Sequence, residues 1–177
     1  EADQIPHGLY IAGIDPYDHD QSSTDSLGST LIINKITNRI VAEYTARPET
    51  AKEYYEQVRR LLLYYNARAL CENDEMSFIE YMKAMGDSQY LERQPAWLKE
   101  IVATSQVRRE FGIHRSSERI IEHLHGCLKT YLNQKILVEK DESGSVVREI
   151  TGVHQVRDPI LLEEIIKFND NDNFDRI

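Results

Sequence analysis

Three acidic residues lie far apart in the sequence, and each stands at the boundary of a predicted element. Asp15 ends the apolar run 10–14, Glu72 ends the run 67–71, and Asp175 lies where a further helix is about to begin. Carboxylates held close together repel one another unless a cation lies between them. Their hard oxygen ligands suit Mg²⁺ or Mn²⁺. The three acids therefore predict a divalent-metal site of the kind that supports phosphodiester chemistry.

The elements that must position these acids can be predicted from hydrophobic patterns. In the first half of the chain we expect four strands and one helix: strands over 8–15, 29–34, 39–44 and 67–72, and a helix that opens with 48–50 and runs to about 65. The first three strands are expected to form an antiparallel meander, because a short polar turn joins the second and third. The helix provides a crossover, which predicts that the fourth strand lies parallel to the first. Gly13 is interpreted as a residue that permits close backbone packing.

The second half of the chain predicts more helices and a second hairpin. Helices are expected over 77–85, 116–133 and 159–168, and a hairpin over 135–150 with its turn at Gly144. Residues 86–113 show no clear hydrophobic periodicity of a helix or a strand. Only the part near Pro95 and Trp97 indicates a structured loop or short helix. The predicted fold class is α/β with a mixed sheet flanked by helices.

Composition limits the kind of protein. The chain has 177 residues and a formal net charge of −9, with 41% apolar and 29% charged residues. This length predicts a single domain. The negative net charge argues against a protein whose whole surface binds nucleic acid non-specifically. No apolar run approaches the roughly 20 residues of a membrane helix, so no membrane partner is expected. Because the first residue is Glu1, we expect an excised domain or a processed product.

The two cysteines are too few for a disulfide framework. Cys71 and Cys127 are 56 residues apart in the sequence, and the preferred interpretation is a pair of buried free thiols in a reducing cytosol.

Four segments, taken in order, carry a resemblance to a known family. The residues are Tyr10-Ile-Ala-Gly-Ile-Asp15-Pro16, Asn66-Ala-Arg-Ala-Leu-Cys-Glu72-Asn73, Phe111-Gly-Ile-His114, and the stretch from Asp158 to Arg176. In this order they resemble the nuclease domain of the large terminase subunit of tailed bacteriophages, which belongs to the ribonuclease H-like superfamily. The resemblance spans nearly the whole chain.

The resemblance implies a fold and an activity. The fold would be a ribonuclease H-like mixed sheet flanked by helices, with the 135–150 hairpin added, and residues 1–177 would form a single C-terminal nuclease domain. The activity would be endonucleolytic cutting of concatemeric double-stranded DNA. Two Mg²⁺ or Mn²⁺ ions would be the cofactors, with Asp15 bridging both ions and Glu72 and Asp175 holding one each.

The resemblance also implies partners and a location. The partners would be double-stranded DNA and, in the packaging assembly, the terminase ATPase domain, the small terminase subunit and the portal. The location would be the cytoplasm of the infected bacterium. The chain has no Gly-x-x-x-x-Gly-Lys-Ser/Thr loop, so the ATPase domain is not part of this sequence.

Two other functions remain open at this point. The chain could be another ribonuclease H-like enzyme, such as a junction resolvase or a transposase-like nuclease, or a non-catalytic module that docks on a motor or portal. No DNA-binding residue is assigned, because the basic cluster at Arg108 and Arg109 fits a charged helix face as well as a DNA contact. His123, His125 and Cys127 could be zinc ligands, but they lack a fourth ligand and the spacing favours packing.

Overall fold

The computed structural model describes residues 5–17, 27–74, 76–101, 110–114 and 118–167. The helices and strands of this part are β1 (Tyr10–Asp15), β2 (Gly28–Asn34), β3 (Arg39–Ala46), α1 (Ala51–Tyr65), β4 (Arg68–Cys71), α2 (Ser77–Ala84), α3 (Leu98–Ile101), α4 (Glu118–Asn133), β5 (Lys135–Lys140), β6 (Val146–Thr151) and α5 (Pro159–Lys167), with 3₁₀ turns at Ser88–Tyr90 and Gly152–Gln155. None of the helices described is both long enough and apolar enough to cross a membrane.

The main sheet has four strands in the order β3-β2-β1-β4. β1 pairs antiparallel with β2, and β2 pairs antiparallel with β3. β4 pairs parallel with β1, because α1 carries the chain back across the sheet between β3 and β4. The meander, the crossover and the α/β class predicted from the sequence are therefore confirmed.

The outer edge of β4 is paired with two short segments from the region that the sequence left unassigned. Leu91 forms a parallel bridge with Ala69, and Ile113 forms a parallel bridge with Glu72. The backbone N–H of Glu92 donates to the carbonyl of Ala69 at 2.7 Å. These segments complete the sheet on the side where β4 would otherwise present unpaired backbone groups.

The larger core lies between one face of the sheet and α1. Tyr54, Val58 and Leu62 of α1 are fully buried, at the spacing of one helix face. The Tyr54 hydroxyl bonds the Thr30 hydroxyl on β2 at 2.9 Å. Burial raises the pKa of Tyr54, and the negative charge of Asp15 adds to that rise. The core thus extends to the sheet edge where Asp15 lies.

A smaller core covers part of the opposite face of the sheet. Leu98, Ile113 and Ile120 are buried there, and Leu70 of β4 packs against them. Leu70 lies between Ala69 and Cys71, which face the larger core. Since successive side chains of a strand point to opposite faces, the sheet carries helices on both sides.

The predicted hairpin is confirmed as the antiparallel pair β5–β6. Asp141 forms its turn, since its carboxylate accepts hydrogen bonds from the backbone N–H groups of Ser143 and Ser145 at 2.9 Å each. The Ser143 hydroxyl, which donates to the same carboxylate at 2.6 Å, and the backbone hydrogen bonds lower the pKa of Asp141. Val146 and Val147 on β6 are exposed, so the hairpin projects from the domain.

Both cysteines are free, but they differ in exposure. Cys71 is buried as predicted, whereas Cys127 is exposed, so the prediction of a buried Cys127 is wrong. α4 buries only Ile120 fully, and Cys127 lies on a part of the helix that no core covers.

Thiol labelling of the folded protein is expected to modify Cys127 and to spare Cys71. Burial raises the pKa of Cys71 to about 12 from an ordinary value of 9.0, so its reactive thiolate is scarce at neutral pH. Mass spectrometry after iodoacetamide treatment should show one adduct without denaturant and two with it. In Cys127→Ser the native adduct should be absent. Native labelling of Cys71 at the rate of Cys127 would contradict the burial.

Candidate functional site

Asp15 and Glu72 end neighbouring strands at the same edge of the sheet. Ile14 is the register partner of Cys71, and the N–H of Glu72 donates to the carbonyl of Ile14 at 2.9 Å. One further step in that register places Asp15 beside Glu72. Because paired strands lie about 4.8 Å apart, two carboxylates of like charge are neighbours here. Their oxygen atoms are donors of the type that Mg²⁺ and Mn²⁺ prefer.

Among the described residues, none packs closely on Gly13, which shares a face of β1 with Asp15. Ala12 and Ile14 are buried on the core side, so Asp15 belongs to the opposite face with Ile11 and Gly13, both of which are exposed. A Cβ atom built on Gly13 meets no described heavy atom within 4 Å. The interpretation of Gly13 as a close-packing residue is therefore wrong. Its lack of a side chain leaves room beside Asp15 instead.

Asn73 fixes the end of β4 next to Glu72. It is fully buried, and its side-chain amide donates to the carbonyl of Phe111. Its backbone N–H donates to the carbonyl of Ile113 at 2.9 Å, and the N–H of Ile113 donates to the carbonyl of Cys71 at 2.8 Å. Three hydrogen bonds thus hold residues 71–73 against residues 111–113. A buried amide with its donor satisfied in this way restricts where the Glu72 backbone can lie.

Gly112 permits this close pairing. Its φ of +75° lies in the region that favours glycine, and a Cβ atom there would collide with the carbonyl oxygen of Cys71. Residue 112 therefore needs glycine for two separate reasons. The position of Glu72 depends on this glycine through the Cys71 backbone.

The end of the sheet that carries Asp15 and Glu72, here called the acidic edge, continues beyond Glu72 with a histidine and an aspartate. His114 follows Ile113, Asp74 follows Asn73, and Nδ1 of His114 contacts a carboxylate oxygen of Asp74. Both side chains are more than a third exposed. The sequence analysis assigned no role to either residue. Each residue directly follows one of the two paired segments, 71–73 and 111–113. Their proximity therefore could not be recognised until the pairing of these segments was known.

Asp175, the third predicted acid, lies outside the described residues. The same holds for the basic cluster at Arg108 and Arg109. Within the described ranges, no group of three or more His, Cys, Asp or Glu side chains is arranged to hold a metal ion. Asp15 and Glu72 thus form a two-carboxylate edge, and Asp175 as its third member remains a prediction.

Two of the residues considered as zinc ligands on α4 have contacts in the structure. The ring of His123 packs on Trp97 with centroids 4.3 Å apart, and Sγ of Cys127 lies 3.6 Å from Nε2 of His123. The contact with Trp97 is what the packing interpretation predicts.

Comparison with known proteins adds no assignment to this geometry. The chain matches no protein-family model, no curated protein and no solved structure.

Proposed function

We propose that this chain is a metal-dependent DNA endonuclease with a ribonuclease H-like fold, acting as the nuclease domain of a viral terminase large subunit. The observation that carries the proposal is the parallel pairing of β1 and β4, which makes Asp15 and Glu72 neighbours at one edge. Two carboxylates held on adjacent strands repel each other. A divalent cation bound between the two carboxylates would offset this repulsion.

The chain's own residues would hold the ions. Asp15 would bridge two ions, Glu72 would ligate one of them, and Asp175 would ligate the other. Divalent ions held there would supply activation of a water nucleophile and stabilisation of the leaving 3′ oxygen of a phosphodiester. Asn73 and Gly112 would keep the Glu72 backbone in register with β1.

The proposal includes the partners of a packaging assembly. The substrate is concatemeric double-stranded DNA in the cytoplasm of an infected bacterium. The terminase ATPase domain, the small terminase subunit and the portal are the proposed protein partners. The support for these partners is the ordered set of sequence motifs that resembles the terminase family.

Plasmid cleavage tests the proposed function. The chain is incubated with supercoiled and linear plasmid in Mn²⁺, in Mg²⁺ or in excess chelator, and the products are separated by electrophoresis. We expect nicked and linear products with either metal and none with chelator. Equal cleavage in chelator, or no cleavage in either metal, would overturn the proposal. A strong preference for four-way junctions over linear duplex would favour a resolvase instead.

A further inference from the structure

A histidine and a cysteine lie one helical turn apart on α4. Sγ of Cys127 is 3.6 Å from Nε2 of His123, and both residues are exposed. Side chains four positions apart in a helix lie on the same face, so the backbone of α4 holds the two together. Imidazole nitrogen and thiolate sulfur are ligands that Zn²⁺ prefers in proteins.

The separation of these two atoms matches that of two ligands on one tetrahedral zinc ion. Zinc binds imidazole nitrogen at about 2.0–2.1 Å and thiolate sulfur at about 2.3 Å. Ligand atoms at those distances are about 3.6 Å apart when the angle at the metal is tetrahedral. The observed distance therefore allows both atoms to bind the same ion without a change in their separation.

An aromatic contact restricts the ring of His123. The ring packs on Trp97 with centroids 4.3 Å apart, and Trp97 packs in turn against the smaller core. Such a contact lowers the conformational entropy that the imidazole would lose on binding an ion. Because Nε2 is the nitrogen in contact with Cys127, packing of the ring and ligation by its edge are compatible.

The pair supplies two of the four ligands of a tetrahedral ion. Within the described ranges, no third His, Cys, Asp or Glu is grouped with it. Gly126, next to Cys127, is exposed, and a Cβ atom built on it meets no described heavy atom within 4 Å. Water molecules or added ligands would therefore fill the other two positions of the ion.

We propose that His123 and Cys127 bind one Zn²⁺ ion, through Nε2 and the thiolate sulfur. Ligation needs a neutral imidazole and a thiolate, so binding releases the proton of the thiol to water. The inference goes beyond the proposed nuclease function and does not depend on it. Asp15 and Glu72 offer oxygen ligands, which suit Mg²⁺ or Mn²⁺, whereas this pair offers nitrogen and sulfur.

Titration with Co²⁺, a spectroscopic substitute for Zn²⁺, tests the inference on the full chain. Excess Mg²⁺ is present to occupy the acidic edge. A thiolate ligand gives Co²⁺ a charge-transfer band in the near ultraviolet that oxygen ligands do not give. Trp97 is the only tryptophan of the chain, and Co²⁺ bound to the histidine packed against it should quench its fluorescence. Excess Zn²⁺ should remove the band by displacing Co²⁺, and it should slow alkylation of Cys127 by iodoacetamide.

Three variants separate the two ligands from their neighbours. Cys127→Ser should lose the charge-transfer band. His123→Gln should weaken Zn²⁺ binding at least about tenfold, since the loss of even an outer partner of a ligand costs that much. His125→Gln is the matched control, because His125 is two residues from each ligand and thus on another face of α4. It should bind Co²⁺ and Zn²⁺ as the wild type does. Thermal melting in chelator checks that each variant is folded.

The outcomes that would overturn the inference are specific. They are the absence of the charge-transfer band in the wild type, alkylation of Cys127 at the same rate with and without Zn²⁺, and wild-type Zn²⁺ affinity in His123→Gln. Any of these would leave the pair as a thiol–imidazole contact only. A loss of Zn²⁺ binding in His125→Gln as large as that in His123→Gln would also contradict the assignment. Plasmid cleavage in Mg²⁺ is measured separately, so failure here leaves the proposed function standing.

Discussion

Replacing Asp15 by Asn is expected to lower the rate of Mn²⁺-dependent plasmid cleavage by about a thousandfold, which corresponds to about 4 kcal/mol of transition-state stabilisation. The substitution keeps the shape of the side chain and removes the charge that would bridge two metal ions. Glu72→Gln should act in the same direction, because it removes a ligand from the neighbouring strand. Rates are measured from the loss of supercoiled plasmid at saturating metal.

Stability separates a lost ligand from a lost fold. In chelator, Asp15→Asn should melt at or above the wild-type temperature, because it relieves repulsion between two adjacent carboxylates. Glu122→Gln is the matched control for Glu72→Gln, since Glu122 is an exposed acid on α4. It should leave both rate and melting unchanged. If Asp15→Asn cleaved plasmid at the wild-type rate, Asp15 would not be a metal ligand of the proposed site.

Gly112→Ala is expected to destabilise the protein by about 2–4 kcal/mol. The new side chain would be strained at a φ of +75° and would collide with the carbonyl of Cys71. The free energy of unfolding is measured in urea, together with Mn²⁺ affinity at a temperature where the variant is folded. The Mn²⁺ affinity should also fall. The new side chain would push residues 111–113 away from Cys71, and these residues hold the backbone of Glu72 in place.

Gly13→Ala provides the matched comparison. Gly13 lies in β1 at an ordinary strand φ, and its added Cβ meets no described atom within 4 Å. Its unfolding free energy should stay within about 1 kcal/mol of the wild type. If both glycine variants lost the same stability, the collision at Gly112 would not be the cause of its effect.

The main sheet was predictable because its signals are local. Short β-branched runs, a hairpin turn and the amphipathic period of α1 each depend on adjacent residues. The helix between β3 and β4 then indicates a crossover, which predicts that β4 lies parallel to β1. The sequence alone therefore predicts that Asp15 and Glu72 lie at one edge.

Other features depend on contacts between distant residues. The bridges of Leu91 and Ile113 to β4 are single pairs without a strand period, so residues 86–113 gave no pattern to recognise. Gly13 was misinterpreted because a sequence cannot distinguish a glycine that permits close packing from one that leaves space. Cys127 was misplaced because its residue type favours burial while its position on α4 does not.

The hydrogen bonds of Asn73 have a consequence for the order in which the protein assembles during synthesis. The backbone acceptor of the Asn73 side chain is 38 residues further along the chain. The β1–β2–β3 meander can pair as soon as its own residues have left the ribosome. The end of β4 receives its outer partners only after Ile113 has emerged. A nascent chain can thus pair its meander while the end of β4, which carries Glu72, still lacks its outer partners; if the proposed function is correct, metal binding would have to wait until Ile113 has emerged.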